Sequence, residues 1–319
     1  MPLFARFMLS FLLLAVGCSD SKPPPLKIGI NPWVGYDPLL LLNNYSITYP
    51  EIQIIELISN SESARALQNG LLDGAALTLD EALRLIDAGT AIKIVAVLDT
   101  SQGADAVLSR PEITSPAQLK GKRIAVEQTA LGALMLHKLL KVGNLKPEDV
   151  KTIQFEAALH VEALKNGLTD AVISFEPMKS QLLKQGFHCV FDSSQIPGEI
   201  IDVLVVKASI EPERTTALLL HWAIGLQSLQ RDYLAAAAIL APGTDLNQAD
   251  YLQSLQGLHF VSLQESLGLM TGVKSPLSQN AEGLVATLTQ LALLKQPPRW
   301  NEILDIAPVR LALQMESQP

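Results

Sequence analysis

"ALQNGLLDGAALTLDEALRLIDAG" (residues 66–89) and "ALKNGLTDAVISFEPMKSQLLKQG" (163–186) align without a gap at an offset of 97. Ala, Leu, Asn, Gly, Leu and Asp recur in register at 66/163, 67/164, 69/166, 70/167, 71/168 and 73/170, and Gly89 matches Gly186. Both copies read as a helix end, a glycine stop, a short apolar strand and a second helix closed by glycine. A weaker echo at an offset of 96 sets "KIGINPWVGY" (27–36) against "RIAVEQTALG" (123–132). Two matches at nearly one offset predict two similar α/β units in one chain.

The alternation extends beyond the repeat. Candidate strands are "LKIGI" (26–30), "IQIIEL" (52–57), "GAAL" (74–77), "IKIVAVL" (92–98), "RIAV" (123–126), "AVIS" (171–174) and "VLVV" (203–206). Helical patterns lie between them, which predicts α/β layers on parallel sheets. Ligands of such sheets bind beyond the carboxyl ends of the strands. That rule selects the loops 31–37, 59–61, 78–81, 99–105, 127–132, 158–160 and 175–177 as the walls of a shared cleft.

The chain has 319 residues, 48% hydrophobic, 18% charged and 5% aromatic. This length suits one large or two ordinary domains with ample core. A net charge of -8 argues against nucleic acid or an acidic membrane surface as partner. Near the start, Arg6 precedes an apolar run, Phe7 to Val16, too short for a membrane-spanning helix, which needs about 20 residues. The run ends "LLLAVGCSD" (12–20), which resembles a bacterial lipobox, although the Ala15 slot is more often Leu there. The expectation is a signal peptide over 1–17, lipidation of Cys18 and a stiff, solvated tether over 18–25. A plain secretory peptide with an incidental cysteine is the alternative. Ser19 is not Asp, so an inner-membrane retention signal is not indicated. Only Cys189 would then remain to pair with Cys18, so no intrachain disulfide is expected in the mature domain. Removing 1–17 leaves 23 Lys and Arg against 32 Asp and Glu, a net charge of -9.

"NPWVGYDPL" (31–39), "ALQNGLLDGAALTLDEAL" (66–83), "VLDTSQGAD" (97–105), "LKGKRIAVE" (119–127) and "SFEPM" (174–178) resemble the periplasmic solute-binding proteins of ABC importers, nitrate/sulfonate/taurine type. The similarity runs from about Leu26 to Lys207. It implies the two-lobed type II periplasmic-binding fold, α/β, each lobe a mixed sheet flanked by helices, with the ligand cleft between the lobes. Lobe one would hold 26–104 and 202–319, and lobe two 105–201, with helices 212–240, 247–256 and 280–295 on lobe one. The resemblance further implies an ABC permease and ATPase as partners, no cofactor, a monomer, and a place on the periplasmic face of a bacterial membrane, held only by the lipid.

The cleft loops supply candidate ligand contacts, each with a plainer reading. Trp33 and Tyr36, between Pro32 and Pro38, which stiffen the backbone, form either an aromatic wall for stacking and cation–π contact or a buried turn. Asp37 bonds a ligand or caps the next helix, and Thr78 and Asp80 face the cleft or cap a helix. Ser59 and Glu62 have capping-box spacing; Ser59, Asn60 and Ser61 are read as structural, with anion binding at that helix start as the alternative. Thr100 and Ser101 are candidate hydrogen-bonding groups in a hinge, and Asp105 is either a ligand contact or a hinge residue. Glu127 bonds an amine or is a solvated strand-end charge. Glu176 is read as a ligand contact because Glu is a poor N-cap. His160 is read as a surface or capping group, not a metal ligand.

These loops hold Asp37, Asp80, Asp105, Glu127 and Glu176 but no Lys or Arg. Oxyanions ordinarily meet basic groups or N–H donors, so an amine, a zwitterion or a nitrogen heterocycle fits better. The leading expectation is a non-catalytic receptor that closes on a small, nitrogen-containing ligand and delivers it to a permease. A sensor subunit of the same fold is the alternative. An enzyme is less favoured: no Ser-His-Asp pattern, CxxC, HExxH or GxGxxG is present.

Overall fold

The computed structural model describes residues 23–44 and 51–316. The predicted signal peptide, Cys18 and the first part of the tether lie outside the described residues. Eleven strands are present among the described residues: β1 (Leu26–Ile30), β2 (Ile52–Glu56), β3 (Gly74–Thr78), β4 (Ile92–Ser101), β5 (Asp105–Ser109), β6 (Arg123–Val126), β7 (Lys151–Gln154), β8 (Ala171–Phe175), β9 (His188–Asp192), β10 (Ile201–Lys207) and β11 (Leu258–Phe260). The helices are α1 (Asp37–Asn44), α2 (Asn60–Gln68), α3 (Leu79–Asp87), α4 (Ala130–Val142), α5 (His160–Lys165), α6 (Met178–Lys184), α7 (Pro212–Arg231), α8 (Tyr233–Leu240), α9 (Gln248–Ser254), α10 (Leu263–Met270), α11 (Pro276–Asn280), α12 (Glu282–Gln290), α13 (Trp300–Ile303) and α14 (Ala307–Glu316).

The strands form two sheets, of order β11-β4-β10-β3-β1-β2 and β7-β6-β8-β5-β9. We refer to each sheet with its helices as a lobe. The strands of the repeat pair in parallel, β1 with β2 and β3, and β6 with β7 and β8. β10 and β5 run antiparallel to their neighbours, which makes each sheet mixed, as the resemblance implies. The reason lies in the connections. The chain passes from β4 to β5 through 102–104 and returns from β9 to β10 through 193–200. Each of these strands enters its sheet from the side of the other lobe, with no α-helix to turn it round, and so runs against the parallel core.

The repeat residues build the lobes. α2 and α5 end at Asn69 and Asn166, followed by Gly70 (φ 76°) and Gly167 (φ 71°), a left-handed stop that glycine takes without strain. Asp73 then accepts the Lys27 N–H at 3.0 Å, and Asp170 accepts the Arg123 N–H at 2.9 Å. Each shared aspartate thus ties a turn to the start of the neighbouring strand. The Arg123 side chain also bonds Asp170, which holds that carboxyl at about 2.

Strands β3, β8 and nearly all of β10 are buried along their length, as strands covered on both faces must be. Of the four strands the sequence did not announce, β5 lies inside its sheet, and β7, β9 and β11 lie at sheet edges with half-exposed, polar patterns. α10, α13 and α14 pack on β4, and α7 packs on α1. α12 touches α3 and α4, and α9 touches α6, where the Gln181 side chain donates to the Thr244 carbonyl at 2.7 Å. The C-terminal helices therefore reach both lobes, not lobe one alone.

Candidate ligand-binding site

β1 delivers the chain to Asn31, and a 3-10 turn over Val34–Tyr36 leads into α1. The turn lays both aromatic rings over the end of the sheet. Trp33 Nε1 donates to Asp99 Oδ2 at 3.4 Å, and the Tyr36 hydroxyl donates to Asp202 Oδ1. Asp99 and Asp202 are paired residues on adjacent antiparallel strands. A bulge lies immediately beside the pair, between Asp202 and Val203, where an extra residue, Leu98, enters β4. It lets both Leu98 and Asp99 face the aromatic loop, with Leu98 packed in the same cluster as Trp33 and Tyr36. Gly35 is the hinge of this arrangement: a side chain there would overlap both the Trp33 indole and the Asp99 carboxylate.

Two wholly buried carboxyl groups opposite one another cannot both stay ionised cheaply. Desolvation pushes Asp99 up, and desolvation together with the Asp99 charge pushes Asp202 up further. Asp105 opens β5 beside them; burial pushes it up to about 7, only partly offset by Ser101 and Lys179. Asp80 is raised to about 8 by burial and by Glu81.

Trp33 meets Phe175 of the other lobe edge-to-face, with centroids 5.7 Å apart and planes at 80°, a favourable aromatic geometry. Between the lobes these residues enclose a cavity of about 30 Å³. Its walls include Asn31, Trp33, Tyr36, Asn60, Asp105, Glu127, His160, Phe175 and Asp202, and no Lys or Arg. His160 is fully buried, which corrects the surface reading. Its Nε2 lies 3.2 Å from the Phe155 carbonyl, an acceptor, so Nε2 carries the proton; burial lowers the ring to about 4. The ring is therefore neutral and Nδ1 is a bare acceptor. Asn31 Oδ1, Asn60 Oδ1, Asp105 Oδ2, His160 Nδ1 and Asp202 Oδ2 are all buried without a hydrogen-bond partner. Asn31 Oδ1, Asn60 Oδ1 and His160 Nδ1 can only accept, and the two carboxyl oxygens accept once ionised, so this small cavity calls for a partner that donates.

Of the nine predicted contacts, the structure brings Trp33, Tyr36, Asp105 and Glu127 to the cavity wall. Glu127 also accepts the Ser61 N–H at 2.8 Å, and burial raises it to about 7, so it is not a solvated charge. The other five do not line it. Asp37 accepts the Tyr251 hydroxyl at 2.6 Å. Asp80 lies beside Thr78, behind the wall. Thr100 sits within β4, paired with Ile201 and His259. The Ser101 hydroxyl bonds that of Ser193 at 2.7 Å and takes the Asp105 N–H at 3.1 Å, knitting the two crossings together. Glu176 accepts the Ser180 N–H at 3.0 Å, in the first turn of α6. Ser59 accepts the Glu62 N–H at 3.2 Å, as its spacing predicts. The acids that sequence reasoning missed, Asp99 and Asp202, carry a signal: each interrupts an apolar strand, in "VLDTS" and "IIDVLVV".

Among the described residues no helix is long and apolar enough to cross a membrane, and no group of three or more His, Cys, Asp or Glu could hold a metal ion. The model of the NMT1-like family matches residues 19–239. No curated protein matches the sequence. A ligand-binding component of an ABC-type import system from Staphylococcus aureus, solved with zinc bound, superposes with a TM-score of 0.74 at 16% identity, covering 91% of this chain and 99% of that one. The nitrate-binding protein NrtA of Synechocystis PCC 6803 gives 0.71 at 15% identity, over 93% and 90%. The aliphatic sulphonate binding protein SsuA of Escherichia coli gives 0.69 at 16%, over 89% and 92%. The desulfurization enzyme DSZB shares the fold as well. At these identities the likeness establishes the two-lobed α/β fold.

Proposed function

The chain belongs to the NMT1-like family, and from that premise we propose that it is an extracytoplasmic solute receptor of an ABC importer. It takes a small organic molecule rich in N–H donors or carrying a cationic nitrogen. The carrying observation is the cavity wall: three buried acceptors without donors, two acids each with an open oxygen, three aromatic rings and no basic side chain. An ammonium, amidine or amino-heterocycle would satisfy Asp105, Asp202 and His160 Nδ1 while lying against Trp33 and Tyr36, whose ring faces favour cations and flat ligands. A free sulfonate or nitrate would bring further acceptors to the same wall, with no compensating charge.

The similar structures support import as the context: one is a ligand-binding component of an ABC-type import system, and two are periplasmic binding proteins, for aliphatic sulphonates and for nitrate. Lobe two and lobe one would present their outer faces to a permease, whose ATPase drives release. The domain limits proposed are lobe one at 26–104 and 202–319 and lobe two at 105–201. We place the mature chain as a monomer on the periplasmic side, held to the membrane through lipidated Cys18. Nothing in the site requires a reaction.

Isothermal titration with a panel of amines and amino-heterocycles, against alkanesulfonates and nitrate, tests the reading. Binding by the nitrogenous set alone is expected. Tight sulfonate binding with no binding of any amine or heterocycle would sink it. Mass spectrometry of the molecule released from purified, denatured protein identifies the ligand.

A further inference from the structure

The two helices that point their starts at the cleft are each closed by a carboxylate from the opposite lobe. α4 of lobe two begins at Ala130, whose N–H donates to Glu81 Oε1 on α3 of lobe one. α2 of lobe one begins at Asn60, and the N–H of its second residue, Ser61, donates to Glu127 Oε1 from lobe two at 2.8 Å. Ser61 also donates its hydroxyl to Glu156 Oε2, at 2.9 Å. Both carboxylates are buried, Glu81 at 3% and Glu127 at 6% exposure. Further helix-start donors are met within each lobe: Thr129 takes the Gly132 N–H at 2.9 Å and Ser59 the Glu62 N–H at 3.2 Å.

A helix start offers unpaired N–H groups and partial positive charge, so it attracts anions. When such a start faces a cleft, a ligand anion is one way to fill it. Here the protein fills both itself, and it does so reciprocally. Because each bond joins one lobe to the other, both form only when the lobes are shut. They therefore act on closure as well as on recognition.

We propose that Glu81 and Glu127 form a reciprocal latch that closes the lobes without ligand and keeps oxyanions away from the two helix starts. This assigns the pair a specificity role. An oxyanion would have to displace a tethered carboxylate and would leave that carboxylate desolvated and unpaired, which is costly. The latch also lowers the closure cost left for a ligand to meet, because a closed population already exists. Its exclusion of oxyanions rests on the solute-receptor reading; its closure of the lobes does not.

Small-angle scattering of the ligand-stripped protein tests the closure, and titration with methanesulfonate and nitrate tests the exclusion. The wild type is expected to scatter as the closed form, with no change of radius of gyration on adding an amine ligand. The Glu81→Ala/Glu127→Ala pair is expected to show a larger radius of gyration. A wild-type curve matching open lobes, or an unchanged radius in the alanine pair, overturns the latch. Should circular dichroism show that the alanine pair does not fold, Glu81→Gln/Glu127→Gln replaces it. There the neutral amide oxygen is the weaker acceptor, a smaller opening is expected, and an unchanged radius again overturns it. Tight binding of either oxyanion to the wild type overturns the exclusion. Failure of every amine to bind, with the scattering results as expected, would defeat the receptor's ligand assignment and leave the latch standing.

Discussion

Asp105→Asn isolates one buried acid of the cavity and gives stability a pH dependence that can be worked out beforehand. Asp105 is 3% exposed, and burial moves its carboxyl from the ordinary 3.8 to about 7. Between those values the folded protein keeps a proton that the unfolded chain has released. The stability tied to this group is therefore complete below 3.8 and is lost as pH rises toward 7. A shift of about three units, at about 1.4 kcal/mol each, amounts to roughly 4 kcal/mol across the window. Within the window the folded state holds about one extra proton, so the slope is about -1.4 kcal/mol per pH unit. Asn keeps the shape but does not titrate. Urea unfolding of the ligand-stripped protein between about pH 4.5 and 6.5 should thus show a wild-type stability falling more steeply than the variant's by about that slope. Parallel wild-type and variant curves would refute the reasoning, because they would mean that Asp105 is ionised in the folded protein as readily as in the unfolded chain.

Three further substitutions separate the cavity from its supports. Trp33→Ala should weaken binding of the released native ligand at least about tenfold, the loss of one cation–π or stacking partner; unchanged affinity by titration would return the loop to a purely structural role. Gly35→Ala puts a methyl group into the Trp33 indole and the Asp99 carboxylate, and should destabilise the fold by about 1–3 kcal/mol and shift tryptophan fluorescence, whereas a wild-type melt and spectrum would count against the tight turn. Tyr251→Phe removes the donor that satisfies buried Asp37, so stability at neutral pH should fall by about 1–3 kcal/mol with ligand affinity retained; lost affinity without lost stability would put Asp37 back in the site.

The two-lobed plan was legible because it is written as periodic, local chemistry. Asn69 and Asn166, Gly70 and Gly167, and Asp73 and Asp170 each do one structural job twice: helix end, left-handed stop, and tie to the adjacent strand. Edge strands β7 and β9 were hidden because their half-exposed faces break the apolar signal. β5 was hidden for another reason. It follows only three residues after β4, so its start was read as part of a hinge loop. The site was legible where a side chain follows closely on the carboxyl end of a strand, as Trp33, Tyr36, Asp105 and Glu127 do. Asp37, Ser101 and Glu176 share that address, yet Tyr251, Ser193 and Ser180 claim them, and two of those partners lie far off in sequence.

Asp99 and Asp202 show most clearly why position in sequence is a poor guide to a site of this kind. Both sit inside apolar strands that a hydrophobicity pattern assigns to the core, and they are indeed in the core. What makes them functional candidates is that two crossings bring β4 and β10 together as neighbours with the acids in register, while a bulge turns Asp99 toward the loop after β1. The donors in Trp33 and Tyr36 then answer one oxygen of each acid and leave Asp99 Oδ1 and Asp202 Oδ2 open. The aromatic loop is thus a wall and a clamp at once: its rings face the cavity, and its polar edges hold the acids beneath. A substitution that keeps the ring and drops the donor, Tyr36→Phe, separates these duties. It removes the hydroxyl from a carboxyl group already buried with a like-charged neighbour. Affinity for a cationic ligand should then change together with its pH dependence, which loss of ring contact alone would leave in place.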